Sequence, residues 1–412
     1  MYRLLITAVL FLLSPMLLTA QAYVEGGKTR HRFAQTTLGI DLGYGLAGGH
    51  QNYRLDGNTI TSFRGPSYSE ARLIIGGLHF WGHADFYLAV PVIRDKVSPF
   101  STGTETGTRI YPLRIRNNKA VPFAGIAFTE NIYRQEEGPR QRWFSTPVHA
   151  GISYLSKAGL FDIYAAYDFS KPENYFISST QAMPLDFPRW RVGFRYKRIF
   201  DTTLSAEKDW KNGITQRMTD TLAVMNRLNG ITVSVGPSYA IFLQHPAAEP
   251  EENKSLGHHR DVPLFADVAI GYYLHRPDVQ LQFAFRTPGN TCEAYGAKHT
   301  LQRTSLALEG YKFLFDYHGF CFFAGPSLSN EWWTSTTQKS GQGQERVRQE
   351  KIQPGLVLGW DIRPNRLQSM YFRTHLRWYP GMKFNTGAGN KIPMDQLELN
   401  YIQLVVFPGR MF

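Results

Sequence analysis

Taken two residues at a time, the chain beyond its first thirty or so positions resolves into short segments. In each, one alternate set is apolar and the other small or polar. Segment 37–46 sets Leu38, Ile40, Leu42 and Tyr44 on one face and Gly39, Asp41, Gly43 and Gly45 on the other. Segment 161–169 opposes Phe161, Ile163, Ala165, Tyr167 and Phe169 to Asp162, Tyr164, Ala166 and Asp168. The same pattern, less strict, runs through 231–242, 264–275, 279–286, 352–362 and 370–379. A period of two means a strand held between two unlike environments. Weaker segments near 69–81, 86–93, 108–116, 121–133, 146–155, 188–198, 299–314, 320–333 and 396–407 bring the set to about 16 strands, with about 14 as the lower count.

The connections alternate as well. Long polar ones (47–65, 94–105, 135–145, 171–187, 244–262, 287–298, 335–348, 381–394) are separated by tight turns at 82–85, 117–119, 157–159, 277–278, 316–319 and 365–368. Long loops on one rim and short turns on the other, with an even strand number, place both chain ends on the short-turn side. One connection on that side is exceptional. Within 205–229, Trp210, Ile214, Met218, Leu222 and Met225 recur every three or four residues, which predicts a helix between Ser205 as cap and Gly230 as stop. Gly213 weakens it by about 1 kcal/mol relative to alanine. Its apolar stripe either packs on the rim as a cover or serves as a docking face or movable plug. Tryptophans predict two girdles: Trp190, Trp332, Trp333 and Trp378 beside long loops, Trp81 and Trp360 near the other end.

At the start, Arg3 precedes an apolar run over 4–18, broken by Thr7, Ser14 and Pro15, and then Ala20-Gln21-Ala22. That order predicts a signal peptide cleaved after residue 22 and one mature domain over 23–412. No later stretch is long enough for a membrane helix, and the chain ends in Phe412 after an apolar strand that Pro408, Gly409 and Arg410 interrupt. Alternating strands, unequal connections, aromatic girdles, leader and terminal phenylalanine together resemble the outer-membrane β-barrels of Gram-negative bacteria, without pointing to a subfamily. The resemblance implies an all-β transmembrane antiparallel barrel in the bacterial outer membrane. It also implies insertion by the barrel-assembly machinery and contact with outer-membrane lipid and lipopolysaccharide.

Charge then narrows the function. The formal net charge is +12, but an exported chain does not meet nucleic acid, so lipopolysaccharide phosphates, anionic solutes or acids inside the barrel are the partners to consider. Alternation turns Arg189, Arg191, Arg195 and Lys197 inward from one strand, Arg373, His375 and Arg377 from another and Arg114 from a third. The inward acids are Asp41, Asp162, Asp168, Asp267 and Asp361. Two readings follow. The arginines form a positive track for small anions, making a passive or semi-selective channel; alternatively, arginines and aspartates pair across the lumen and seal it, making a non-conducting envelope or secretion-system component with a periplasmic partner on the helix. A channel is the first expectation. A lipid-modifying enzyme or protease would need a catalytic pair, and scattered His79, His149 and His375 do not supply one by spacing. Residues 23–32 are too short for a folded plug. His258 and His259 lie adjacent in a polar loop, a poor geometry for a metal, and no cofactor is expected. The glycines around Gly43-Tyr44-Gly45 lack the lysine of a phosphate loop and read as small inward positions. Cys292 and Cys321 fall near opposite strand ends, too far apart for a disulfide, which needs Cα atoms within about 7 Å.

Overall fold

A computed structural model describes residues 33–48, 51–65, 67–94, 98–170, 173–201, 213–242, 255–256, 261–339, 343–363, 365–385, 391–393 and 395–411. The expected leader over 1–22, Phe412, Ser205, Trp210, His258 and His259 lie outside them. The first half contains β1 (Gln35–Gly45), β2 (Gln51–Asp56), β3 (Thr59–Arg64), β4 (Tyr68–His79), β5 (Ala84–Arg94), β6 (Phe100–Ile110) and β7 (Lys119–Tyr133). It continues with β8 (Gln141–Ser145), β9 (Val148–Ser156), β10 (Gly159–Tyr167), β11 (Glu173–Phe176), β12 (Ala182–Leu185) and β13 (Trp190–Asp201). Helix α1 (Ile214–Val224) follows. The second half contains β14 (Gly230–Phe242), β15 (Asp261–Leu274), β16 (Val279–Arg286), β17 (Gly289–Ala294), β18 (Ala297–Tyr317) and β19 (Phe320–Lys339). Its last strands are β20 (Glu345–Ile362), β21 (Met370–Tyr379), β22 (Lys383–Asn385), β23 (Lys391–Pro393) and β24 (Gln396–Val406).

Pairing corrects the expectation of one wide barrel. β13 returns to β1, with Gln35 opposite Asp201, and β6 pairs with β7, so β1, β4, β5, β6, β7, β9, β10 and β13 close on themselves. β24 returns to β14, and β16 pairs with β18, closing β14, β15, β16, β18, β19, β20, β21 and β24. The long-strand total agrees with the sequence count; the closure does not. Two barrels of eight replace one of sixteen. All neighbours are antiparallel, and short turns gather at one rim. Several of these turns use left-handed residues, among them Asn118, Asp278 and His318, with φ of 56°, 51° and 52°.

Outward positions carry the apolar set. Ile163 is 68 % exposed and Ile152 57 %, and Ile40, Leu42, Phe283 and Leu308 are likewise exposed, a band that water would not tolerate and hydrocarbon would. The barrels touch along their sides: Leu88 of β5 packs with Tyr239 and Tyr401 of β14 and β24, and the Tyr401 hydroxyl donates to the Gly107 carbonyl at 3.0 Å. This contact explains the strand expected at 108–116. The true strand, β6, has the sequence FSTGTETGTRI; its Thr104 and Thr106 are buried, and the strand lies against the other barrel through Tyr401, so no outward apolar face announces it.

Three smaller expectations also change. Strands β19 and β20 run through most of the expected loop at 335–348. Trp190, Trp332 and Trp378 do face outward near the long-loop rim, but Trp81 and Trp333 are buried. The last strand stops at Val406, where Pro408 begins a 3-10 turn.

Candidate functional site: two charged lumens

In the first barrel, register alone sets acids beside bases. Asp41 lies opposite Arg72 on one neighbour and Arg195 on the other, Asp162 opposite Arg195, and Asp85 opposite Arg109. All point inward and are fully or almost fully buried. Arg72 and Arg195 pair with Asp41; Arg109 pairs with Asp162; Lys197 reaches Asp85 at 2.5 Å. Glu105 of β6 reaches across the lumen. Its carboxylate accepts from Arg72 at 2.9 Å, Arg195 at 3.1 Å and Arg191, and from the hydroxyls of Tyr87 at 2.8 Å and Thr129 at 2.9 Å. Arg191 also lies 3.7 Å from Glu70. The Arg195 guanidinium is stacked over Tyr164 and Tyr87, 4.2 and 4.6 Å from their centroids.

Small residues make room for this packing. A Cβ on Gly193 would fall 2.4 Å from the Tyr164 ring, and one on Gly43 3.2 Å from the Glu70 carboxylate. The inward-glycine expectation is thus met with a physical reason, since each vacated position holds part of a neighbour's ring or carboxylate.

The second barrel repeats the composition with different wiring. Arg377 bridges Asp267 and Glu309, Arg303 bridges Glu331 and Glu398, and Arg286 also meets Glu398. Arg373 and Arg363 share Asp361 at 2.7 and 2.9 Å. His375 stands 3.5 Å from Asp267. Groups charged at neutral pH balance in both lumens. Arg72, Arg109, Arg191, Arg195 and Lys197 face Asp41, Glu70, Asp85, Glu105 and Asp162; Arg286, Arg303, Arg363, Arg373 and Arg377 face Asp267, Glu309, Glu331, Asp361 and Glu398. The excess positive charge of the chain therefore lies outside these networks.

Of the residues expected inward, Arg191, Arg195, Lys197, Arg373, His375, Arg377, Asp41, Asp162, Asp267 and Asp361 enter the lumens. Asp168 lies just past β10, where its carboxylate accepts from the Ser170 backbone. Arg189 precedes β13 and leans over Phe187 at 6.0 Å. Arg114 is in a short connection, not a strand, and its Nε donates to the Trp81 carbonyl at 2.8 Å. Sequence reasoning missed Glu70, Arg72, Asp85, Glu105, Arg109, Arg286, Arg303, Glu309, Glu331, Arg363 and Glu398; alternation on β4, β5, β16, β18, β19 and β24 was the signal available for those on these strands, while β6 offered none for Glu105 and Arg109.

At the short-turn rim, Arg366 joins neighbouring turns by reaching Asp278 at 3.1 Å and Asp316 at 3.4 Å. The structure has a helix in this connection, but it spans Ile214–Val224 with Gly213 at its N-cap and not inside it as expected, and most of its described apolar positions are open. Ile214, Met218 and Met225 are 69, 54 and 60 % exposed, while Thr219 is the buried residue; Leu222 is half-buried. Cys292 and Cys321 are both buried and are not joined in a disulfide.

No protein-family model and no curated protein matches the chain. Among solved structures it is similar to Ail, the attachment invasion locus protein of Yersinia pestis, in complex with the heparin analogue sucrose octasulfate, at 8 % identity, 43 % of this chain, 97 % of that one and a TM-score of 0.30. Neisserial surface protein A gives 10 %, 44 %, 97 % and 0.29. OmpT, an outer membrane protein of Vibrio cholerae, gives 7 %, 91 %, 99 % and 0.19. These distant likenesses carry no functional argument, and the barrel architecture rests on the strand pairing itself.

Proposed function

We propose that the protein is an integral outer-membrane component whose two barrels do not conduct, and which serves as a membrane-embedded base for structures on the outer rim. The observation that carries this reading is that each lumen is crossed by a charge-neutral network at essentially zero exposure, with Asp41, Arg72, Glu105, Asp267, Glu309 and Arg377 all at 0 %. Eight strands leave an interior that side chains can fill. A positive track for anions needs cations that a passing solute can reach; here each arginine already faces a carboxylate, and opening a path would strand buried charges.

With short turns in the periplasm, the long connections face outward. There the chain adds the hairpins β2–β3, β11–β12 and β22–β23 and the flanking strands β8 and β17. Strands β18, β19 and β20 hold 21, 20 and 18 residues, about twice the roughly 10 needed to cross the bilayer. They extend the second barrel well beyond the membrane as a stiff sheet. An envelope surface or scaffold role makes use of these features and of no catalytic group.

The test is single-channel recording of folded, inserted protein in a planar bilayer. The expected result is no steady current. Sustained ohmic current from the wild-type protein, with a reversal potential that follows a salt gradient, would overturn the sealed-lumen reading and restore the channel.

A further inference from the structure

The side-by-side packing of the barrels is incomplete at one end. Between them lies a cavity of about 460 Å³ whose walls come from both, including Ile75 and Phe86 on the first barrel and Trp360, Phe372, Ile402 and Leu404 on the second. Higher on the same seam the two walls meet directly through Leu88, Tyr239 and Tyr401, so the cavity is closed towards the outer rim. Its other end reaches residues at the short-turn rim, His79, Gln368 and Ser369. The walls are apolar and the end is polar.

We infer that this seam holds an acyl chain of one glycerophospholipid from the periplasmic leaflet, with the headgroup at the His79–Ser369 rim. The inference rests on the bilayer placement above but not on the sealing of the lumens. An apolar cavity of this size does not hold water stably, and left empty it forfeits the dispersion contacts of all its lining side chains. At hydrocarbon depth, the substance at hand to fill it is a lipid chain. Polarity sets the direction: a chain entering from the short-turn rim leaves its ester and phosphate beside the polar residues, whereas a chain from the outer leaflet would have to pass the closed part of the seam.

A separate observation concerns charge. Arg410 donates to the carbonyls of Arg366 at 3.0 Å, Gln368 at 3.3 Å and Leu228. It lies over Phe407, 3.6 Å from the centroid, and among the described residues it has no carboxylate partner. A cation held against the backbone of the rim, without a carboxylate partner among the described residues, favours an anionic headgroup.

The experiment is native mass spectrometry of the full-length folded protein after incubation in mixed micelles of dodecyl maltoside with equal amounts of phosphatidylglycerol and phosphatidylethanolamine. The expected spectrum shows one retained lipid per chain, mainly phosphatidylglycerol. Leu404→Trp, which fills the cavity, should lose the adduct, whereas Ile163→Trp on the remote lipid-facing surface should keep it. Ile75→Trp fills the cavity from the opposite wall and gives the same readout should Leu404→Trp not fold, folding being scored by heat-modifiable electrophoretic migration. Arg410→Gln should retain lipid but lose the phosphatidylglycerol preference. A bare wild-type protein, an adduct equally strong in both cavity-filled variants, or several lipids bound without preference would overturn the inference. Current in the planar bilayer would leave it standing, so the two proposals fail separately.

Discussion

The two barrels have the same strand number and the same balance of buried charge, yet they join those charges differently. In the first, one carboxylate is a hub: Glu105 takes three arginines from two strands on the far wall. Arginines bridge acids in both, Arg72 and Arg195 in the first and Arg377 and Arg303 in the second, but in the second no carboxylate serves more than two arginines. The closure geometry therefore dictates that the lumen be filled and electrically balanced, but not how. Partner number per group is what differs, and it decides how each barrel responds to losing one.

The largest expected effect follows from the hub. Glu105→Gln leaves three buried guanidiniums short of a counter-charge and should lower unfolding free energy by about 3–5 kcal/mol, the cost of breaking a buried ion pair from one side, read by urea unfolding in detergent or short-chain lipid vesicles. A sharper form removes Arg191 as well. If the hub description holds, Glu105→Gln with Arg191→Gln should be less destabilised than the sum of the single variants, by about 1–3 kcal/mol; strict additivity would mean that the two groups do not act together.

In the second barrel, Glu309→Gln should cost less, about 1–3 kcal/mol, because one arginine, Arg377, loses a partner there instead of three. Equal losses from Glu105→Gln and Glu309→Gln would break the comparison. The smallest effect belongs to the outer hairpin β2–β3. Replacing 54–61 by a short turn keeps Asn52, which is bonded to the Asp186 backbone through both its carboxamide atoms, and removes mostly exposed residues. The change in stability should be within about 0.5 kcal/mol, with the same unfolding curve as the check.

The contrast between β1 and β6 shows what alternation reveals. β1 has an exposed apolar face in Ile40, Leu42 and Tyr44, so lipid on one side and lumen on the other write period two into its sequence. β6 has the lumen on one side and a second barrel on the other, a surface of threonine and glycine against tyrosine, and its sequence carries no such mark. The helix differs in a similar way. Its spacing predicts that a helix is there, but a stripe of apolar residues does not say what covers it, and here Met218 and Met225 are left uncovered by the described residues.

The order of residues along the chain defines most of the strands, though not β6, together with the alternation of long and short connections, the inward direction of the central arginines and aspartates, and the helix-bearing connection between the eighth and ninth barrel strands. Those are local properties, set by which side chain follows which at a period of two or of three to four. That eight strands close on each side of that helix follows from strand pairing in three dimensions. Every barrel strand has the same alternating surface and the same backbone donors and acceptors, so nothing local tells β13 to return to β1 instead of passing on to a ninth strand. That choice depends on long-range pairing and on arginines finding carboxylates across a lumen narrow enough for them to meet, and it turns a row of inward cations into two charge-paired interiors.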